Sequence, residues 1–191
     1  MSSESPSKSV ASLVAFVILA VAPIAGATSA LHLTDVEQAR ASTAVVVATV
    51  LRVQTEAHET HRIVTRTSIR VHEVLYGAAP GELSVEQIGG TLDGVTVHVP
   101  GDARLEAGER SVLFLRQVHG RWYLTAMEQS RYALRTVAGS APTMHRVLHS
   151  ALYTRDEHGG LVEFVEPSER RLKPLADFRA QMAALAPTGA Q

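Results

Sequence analysis

Cysteine is absent from this chain of 191 residues, and its absence removes several classes at once. No disulfide can staple the fold, no thiolate can hold a metal or act as a nucleophile, and no cysteine can carry a lipid. Aromatic residues are scarce at 5%, too few for a platform on which the bases of a single strand could stack. An excess of either charge is missing too: 18 Lys and Arg face 19 Asp and Glu, for a formal net charge of −1, with no basic stripe. This balance argues against polyanions, and nucleic acid is not an expected partner. Long apolar runs are confined to the beginning, where VASLVAFVILAVAPIAGA is broken by Pro23. That is shorter than the roughly 20 continuous apolar residues of a membrane span.

What is present at the amino end reads as an export signal. A weakly positive start, MSSESPSK, precedes the apolar stretch, and Ala25-Gly26-Ala27 meets the small-x-small rule for signal peptidase. Thr28-Ser29-Ala30 fits nearly as well, so the new terminus is expected at Thr28, or at Leu31. The expected location is therefore periplasmic or secreted, with no stable membrane span after cleavage. The remaining chain of about 160 residues has the length of one domain. It is long enough to bury a core without staples.

Hydrophobic periodicity supplies the elements. Thr34 and Glu37 have capping-box spacing, which predicts a short helix over residues 35–41. AVVVATVLRV is dense in β-branched residues and apolar on both faces at first, the pattern of a central strand. In IVTRTSIRV, Ile63, Thr65, Thr67, Ile69 and Val71 share one face, while Arg66, Ser68, Arg70 and His72 share the other. The phase slips at His72-Glu73, which predicts a β-bulge. A turn over 77–81 then leads into the strand ELSVEQI.

Beyond GGTLDG, VTVHV alternates, with Val95, Val97 and Val99 expected inward. SVLFLRQV and WYLTAM are strands joined at His119-Gly120, with Trp122 or Tyr123 packing inward, and another strand is expected around 132–134. A buried group of Val47, Leu51, Ile69, Val71, Val85, Val97, Leu113 and Leu115 is expected. APTMHRVLHSAL reads as an amphipathic helix and LVEFVE as a short edge strand. In PLADFRAQMAALA, Leu175, Phe178, Met182 and Leu185 recur near the helical period. The expected fold is mainly β: a closed barrel of about six short strands, with a short N-terminal helix and a C-terminal amphipathic helix. The expected organisation is a signal peptide over 1–27 and a barrel domain with its leading helix over 28–138. A C-terminal extension over 139–186 docks its helix on the barrel, and 187–191 form a disordered tail.

The succession AVVVATV, EVLYG, APGELSVEQIGG, VPGDARLEAGERSVLFL resembles a group of small secreted bacterial proteins with OB-fold-like β-barrels. Netrin and metalloprotease-inhibitor domains share that general architecture. This chain lacks their disulfides and the amino-terminal Cys that clamps a protease zinc, so their inhibitory chemistry transfers to no residue here.

Chemistry-bearing residues are few. His145 and His149 are four apart, so on a helix they would share a face and could reach one metal ion. HETH at 58–61 lacks the spacing of a zinc protease helix. Ser130 has no glycine elbow around it, and Asp93 reads as a turn residue. Arg66, Arg70 and His72 would line one outward strand face as a cationic strip, the candidate for contact with an envelope or extracellular protein. No cofactor is implied. These residues suggest a non-enzymatic binding or accessory domain; the rivals are a metal-dependent hydrolase using His145 and His149, and a structural envelope component.

Overall fold

The computed structural model describes residues 30–59, 62–146, 148–165 and 172–185. The expected signal segment and tail lie outside them, as does most of the charged linker before residue 172. The described chain is mainly β, in the order β1 (Ala30–Leu31), α1 (Asp35–Ala41), β2 (Ala44–His58), β3 (Arg62–Gly77), β4 (Glu82–Ile88), β5 (Gly90–Leu92), β6 (Val95–Val97), β7 (Arg110–Val118) and β8 (Arg121–Leu124). A 3-10 turn (Met127–Ser130) leads to β9 (Arg131–Arg135), β10 (Thr143–Arg146), β11 (Leu152–Arg155), β12 (Leu161–Phe164), β13 (Leu172–Pro174) and α2 (Leu175–Ala183).

Eight strands form one sheet in the order β13-β10-β9-β7-β2-β3-β4-β8, and β7 also pairs with β8. The pairings β7–β2–β3–β4–β8 therefore return to β7, closing with a parallel bridge between Val85 and Trp122. Strand β1 pairs in parallel with β11, and β12 forms the far edge of that three-stranded sheet.

Helix α1 begins where its capping box says it should. The Thr34 side chain accepts from the Glu37 amide, and the Glu37 carboxylate accepts from the Thr34 amide. The expected bulge is present in β3: Val71 pairs with Ala48 and Glu73 with Val47, leaving His72 as the extra residue. A further slip opposes Val50 to Ile69 and Arg52 to Ser68, so Leu51 is an extra residue on β2. Gly77 ends β3 at φ +71°, and a Cβ there would lie 2.0 Å from the Thr43 carbonyl oxygen. Only glycine combines that conformation with that approach. The β7–β8 reversal uses His119 (φ 48°) and Gly120 (φ 78°), both in the left-handed region that a tight two-residue hairpin turn requires.

Two cores share the central strands. Val46, Ala48 and Val50 of β2 join Ile69, Val85, Leu113, Leu115 and Trp122 on one side. Val45 and Val47 face the other side, with Val112, Phe114, Tyr132 and Met144, where Leu175, Phe178 and Met182 of α2 cover them. Period two on a strand buried on both faces assigns alternate residues to different cores. This corrects the single expected core: Val47 belongs to the second group, and the slip at Leu51 turns that side chain outward. Val95 and Val97 are exposed, because β5 and β6 form a separate two-stranded ribbon turning at Asp93-Gly94.

The expected helix over 141–152 is not formed by its described residues either. Met144 and Arg146 are buried while Thr143 and His145 are half-buried, the alternation of strand β10, which finds a partner edge on each side in β9 and β13. Sheet hydrogen bonding outweighs the local helical pattern. The region after 139 thus continues the main sheet instead of only docking on it. No helix among the described residues is long and apolar enough to cross a membrane.

Candidate functional site

Between the far halves of β2 and β3, the end of β4, the β5–β6 ribbon and the loop over 98–107 lies a cleft of about 750 Å³. Binding sites for small molecules typically span ~300–1,000 Å³. The strand pattern explains its floor. The inward face of β3 carries Ile69 into the first core, but two and four residues earlier the same face presents Thr67 and Thr65. Thr55 of β2 lies opposite Thr65, with their hydroxyl oxygens 3.4 Å apart. Thr65 Oγ1 donates to the Gly89 carbonyl at 2.7 Å. A Cβ on Gly90 (φ +126°) would sit 2.5 Å from that hydroxyl, so the glycine brings the ribbon directly onto the threonines.

Thr67 is fully buried, and its hydroxyl has no hydrogen-bond partner among the described residues. Leaving such a group unsatisfied costs about 1–3 kcal/mol. Val53, Ile88, Val97 and Leu105 supply apolar wall. At the margin, Gln87 Nε2 donates to the Ala103 carbonyl at 2.8 Å, and Asp102 Oδ1 accepts from the Ala103 amide at 2.9 Å. Burial pushes the Asp102 carboxyl above its ordinary range, against the lowering effect of its hydrogen bonds with Gln87 and Ala103. The margin also carries His98 and the mutually paired Arg104 and Glu106, 3.2 Å apart. Hydroxyls, an amide and a protonatable carboxyl among apolar side chains suit holding a polar, uncharged group.

The residues singled out from sequence lie elsewhere. Arg66 and Arg70 do share an outward face of β3, but carboxylates from neighbouring strands face them. Arg66 lies 2.5 Å from Glu56 and 3.2 Å from Glu86, and Arg70 lies 3.0 Å from Glu82. Arg121 reaches Glu86 and His58 on the same face. The bulged His72 bonds the Thr49 hydroxyl through Nε2 at 2.8 Å. What looked like a cationic strip is a mixed-charge face.

His145 lies in β10 and His149 in the loop beyond it, so the shared helical face that motivated a metal site is absent. The His149 amide donates to the buried Glu128 carboxylate at 2.9 Å, while its ring is largely exposed. Among the described residues no three His, Cys, Asp or Glu side chains gather as a possible metal site. Ser130 is buried and its hydroxyl accepts from the Ala126 amide, a structural tie within the 3-10 turn.

Sequence reasoning placed the threonines on the inward face of β3 without giving them a role, although polar residues within an apolar face were the visible signal. It had no means of finding Gly90 or Asp102, whose part depends on a ribbon and a loop folding back over that face. Comparisons with known protein families, with curated proteins and with solved structures returned no match.

Proposed function

We propose that the chain is an exported, non-enzymatic binding domain whose circuit β7–β2–β3–β4–β8 is an OB-like closed barrel. The threonine-lined cleft at one end of that barrel takes a small uncharged ligand rich in hydroxyl or amide groups. The return of the pairings to β7 through the parallel β4–β8 bridge supports the barrel. Barrels of this kind bind ligands with their second and third strands and adjoining loops; here those strands are β3 and β4. The observation that carries the binding reading is the grouping, on one cleft wall, of the half-buried Thr55, Thr65 and Gln87 with the exposed apolar side chains of Val53, Ile88 and Val97.

Export also fits the start of the fold. Ala30 pairs with Leu152, so a terminus at Thr28 keeps β1 whole, whereas one at Leu31 removes half of it.

The test uses protein isolated from its native host. Intact mass should place the terminus at Thr28. Small molecules released on denaturation should include a species that wild type retains and Thr55→Val, a nearly isosteric change at a half-buried lining position, does not. Equal recovery from a folded Thr55→Val variant, or no retained species at all, counts against the reading.

A further inference from the structure

A second cavity, of about 380 Å³, is lined from α1, β10, β12, β13 and α2 and from the segment between β1 and α1, on the side of the sheet that α2 covers. Its inner wall is an ion cluster assembled from distant parts of the chain. The buried Asp35 carboxylate accepts from Tyr132 Oη at 2.7 Å, from Arg146 Nη2 at 2.9 Å and from Lys173 Nζ at 2.5 Å. The Arg146 guanidinium lies over the Tyr132 ring, 4.3 Å from its centroid.

Two cations therefore meet one carboxylate inside the fold. Arg146 is 5% exposed, and its Nε has no hydrogen-bond partner among the described residues. A buried, unshared guanidinium N–H is costly, because burying a charge requires both pairing and hydrogen bonding. His32 closes the rim, stacked on Phe164 with ring centroids 3.6 Å apart. Burial first, then the charge of Arg146, lowers the His32 pKa, which disfavours a third positive charge at the cavity. Glu37 is the other acidic side chain nearby; it is exposed and occupied by the Thr34 cap, outside the cavity lining.

We propose that this cavity is a binding site for a small oxyanion, a carboxylate or a phosphate, held by Arg146 and Lys173. The anion supplies the negative charge that Asp35 alone leaves unmatched, and its oxygens suit the planar guanidinium. The proposal stands independently of the threonine cleft, which contains none of these residues. Thr34 and Gln181 add a hydroxyl and an amide at the margin.

Acetate and inorganic phosphate, each titrated against sodium chloride at matched ionic strength, are the probes. Thermal midpoint and the amide resonances of Lys173 and His32 are the readouts. A ligand of the native state raises the midpoint in a saturating way, and at least one probe should do so. Whichever saturates identifies the oxyanion. Lys173→Gln, at a partly exposed position, should weaken binding at least tenfold while remaining folded; Arg146→Gln should abolish it, unless that change prevents folding. Thr55→Val, in the threonine cleft, should bind the same anion as wild type does. No saturating response beyond chloride from either probe, or undiminished binding by folded Lys173→Gln, would overturn the proposal.

Discussion

At the scale of single residues, a buried carboxyl and a half-buried one have been driven in opposite directions. Burial alone would raise Asp35, but Arg146, Lys173 and Tyr132 outweigh it and hold the group below its ordinary value of 3.8. Asp102 is raised above the same value, chiefly by burial, with no cation hydrogen-bonded to it. Linkage fixes the signs. A depressed carboxyl contributes stability above its unfolded value, lost as pH falls through its folded value. A raised carboxyl costs stability increasingly as pH rises above its unfolded value, in full above its folded one, and the cost is relieved as pH falls back to the unfolded value. Asp102→Asn keeps a carbonyl oxygen for the Ala103 amide but cannot ionise. It should therefore raise the thermal midpoint at pH 7, with the advantage gone below about pH 3.8. Midpoints measured from pH 3 to pH 8 check this; an advantage that grows in acid would contradict it.

Among elements, β2 shows how one strand serves two layers. Its successive residues Val46 and Val47 are both fully buried, yet only Val47 faces the α2 layer. Removing two methyl groups from either should destabilise the whole by an amount of order 1–3 kcal/mol. The local effect should differ. Val47→Ala withdraws packing from beneath Phe178 and Met182, so the amides of α2 should exchange faster than in Val46→Ala at equal global stability. Hydrogen exchange of the α2 amides measures it, and identical α2 protection in the two variants would show that the cores are not separate. The bulge in β3 belongs at this scale too. The extra residue His72 sets Glu73 opposite Val47 and Val74 opposite Val46, and the slipping pattern of the sequence already marked it, although Val74 is exposed.

For the molecule as a whole, no disulfide is possible, so packing around two cores must hold it together. Strand β7 sits between them, with Leu113 and Leu115 on one side and Val112 and Phe114 on the other, all fully buried. Leu113→Ala should lower unfolding free energy by about 2–5 kcal/mol, and Arg66→Ala by well under 1 kcal/mol, since half-exposed ion pairs contribute little. Chemical denaturation of both variants tests this. Because β7 pairs with β2, β8 and β9, Leu113→Ala should shift the transition without splitting it, and comparable effects from both changes would mean that this layering is wrong.

Local chemistry was legible in advance wherever neighbours in sequence are also neighbours in space. Thr34 and Glu37 announced α1; the spacing of Leu175, Phe178 and Met182 announced α2 and its buried face; alternation along IVTRTSIRV announced β3 and its slip. These signals depend on a cap, a helical turn or a pleat, each complete within a few residues. The helical reading of 141–152 failed because pairing on both sides of β10 is supplied by β9 and by β13, some 30 residues further on. The cationic strip dissolved for the same reason: Glu56, Glu82 and Glu86 come from neighbouring strands. Asp35 meets Arg146 across 111 residues and Lys173 across 138, and Gly90 meets Thr55 and Thr65 only after the ribbon folds back. Residue order by itself determined the mainly β character, helices α1 and α2 and the alternation along β3. Only tertiary structure decided which charges are matched and which hydroxyls are left buried, because both depend on partners that topology, not spacing, brings within hydrogen-bond reach.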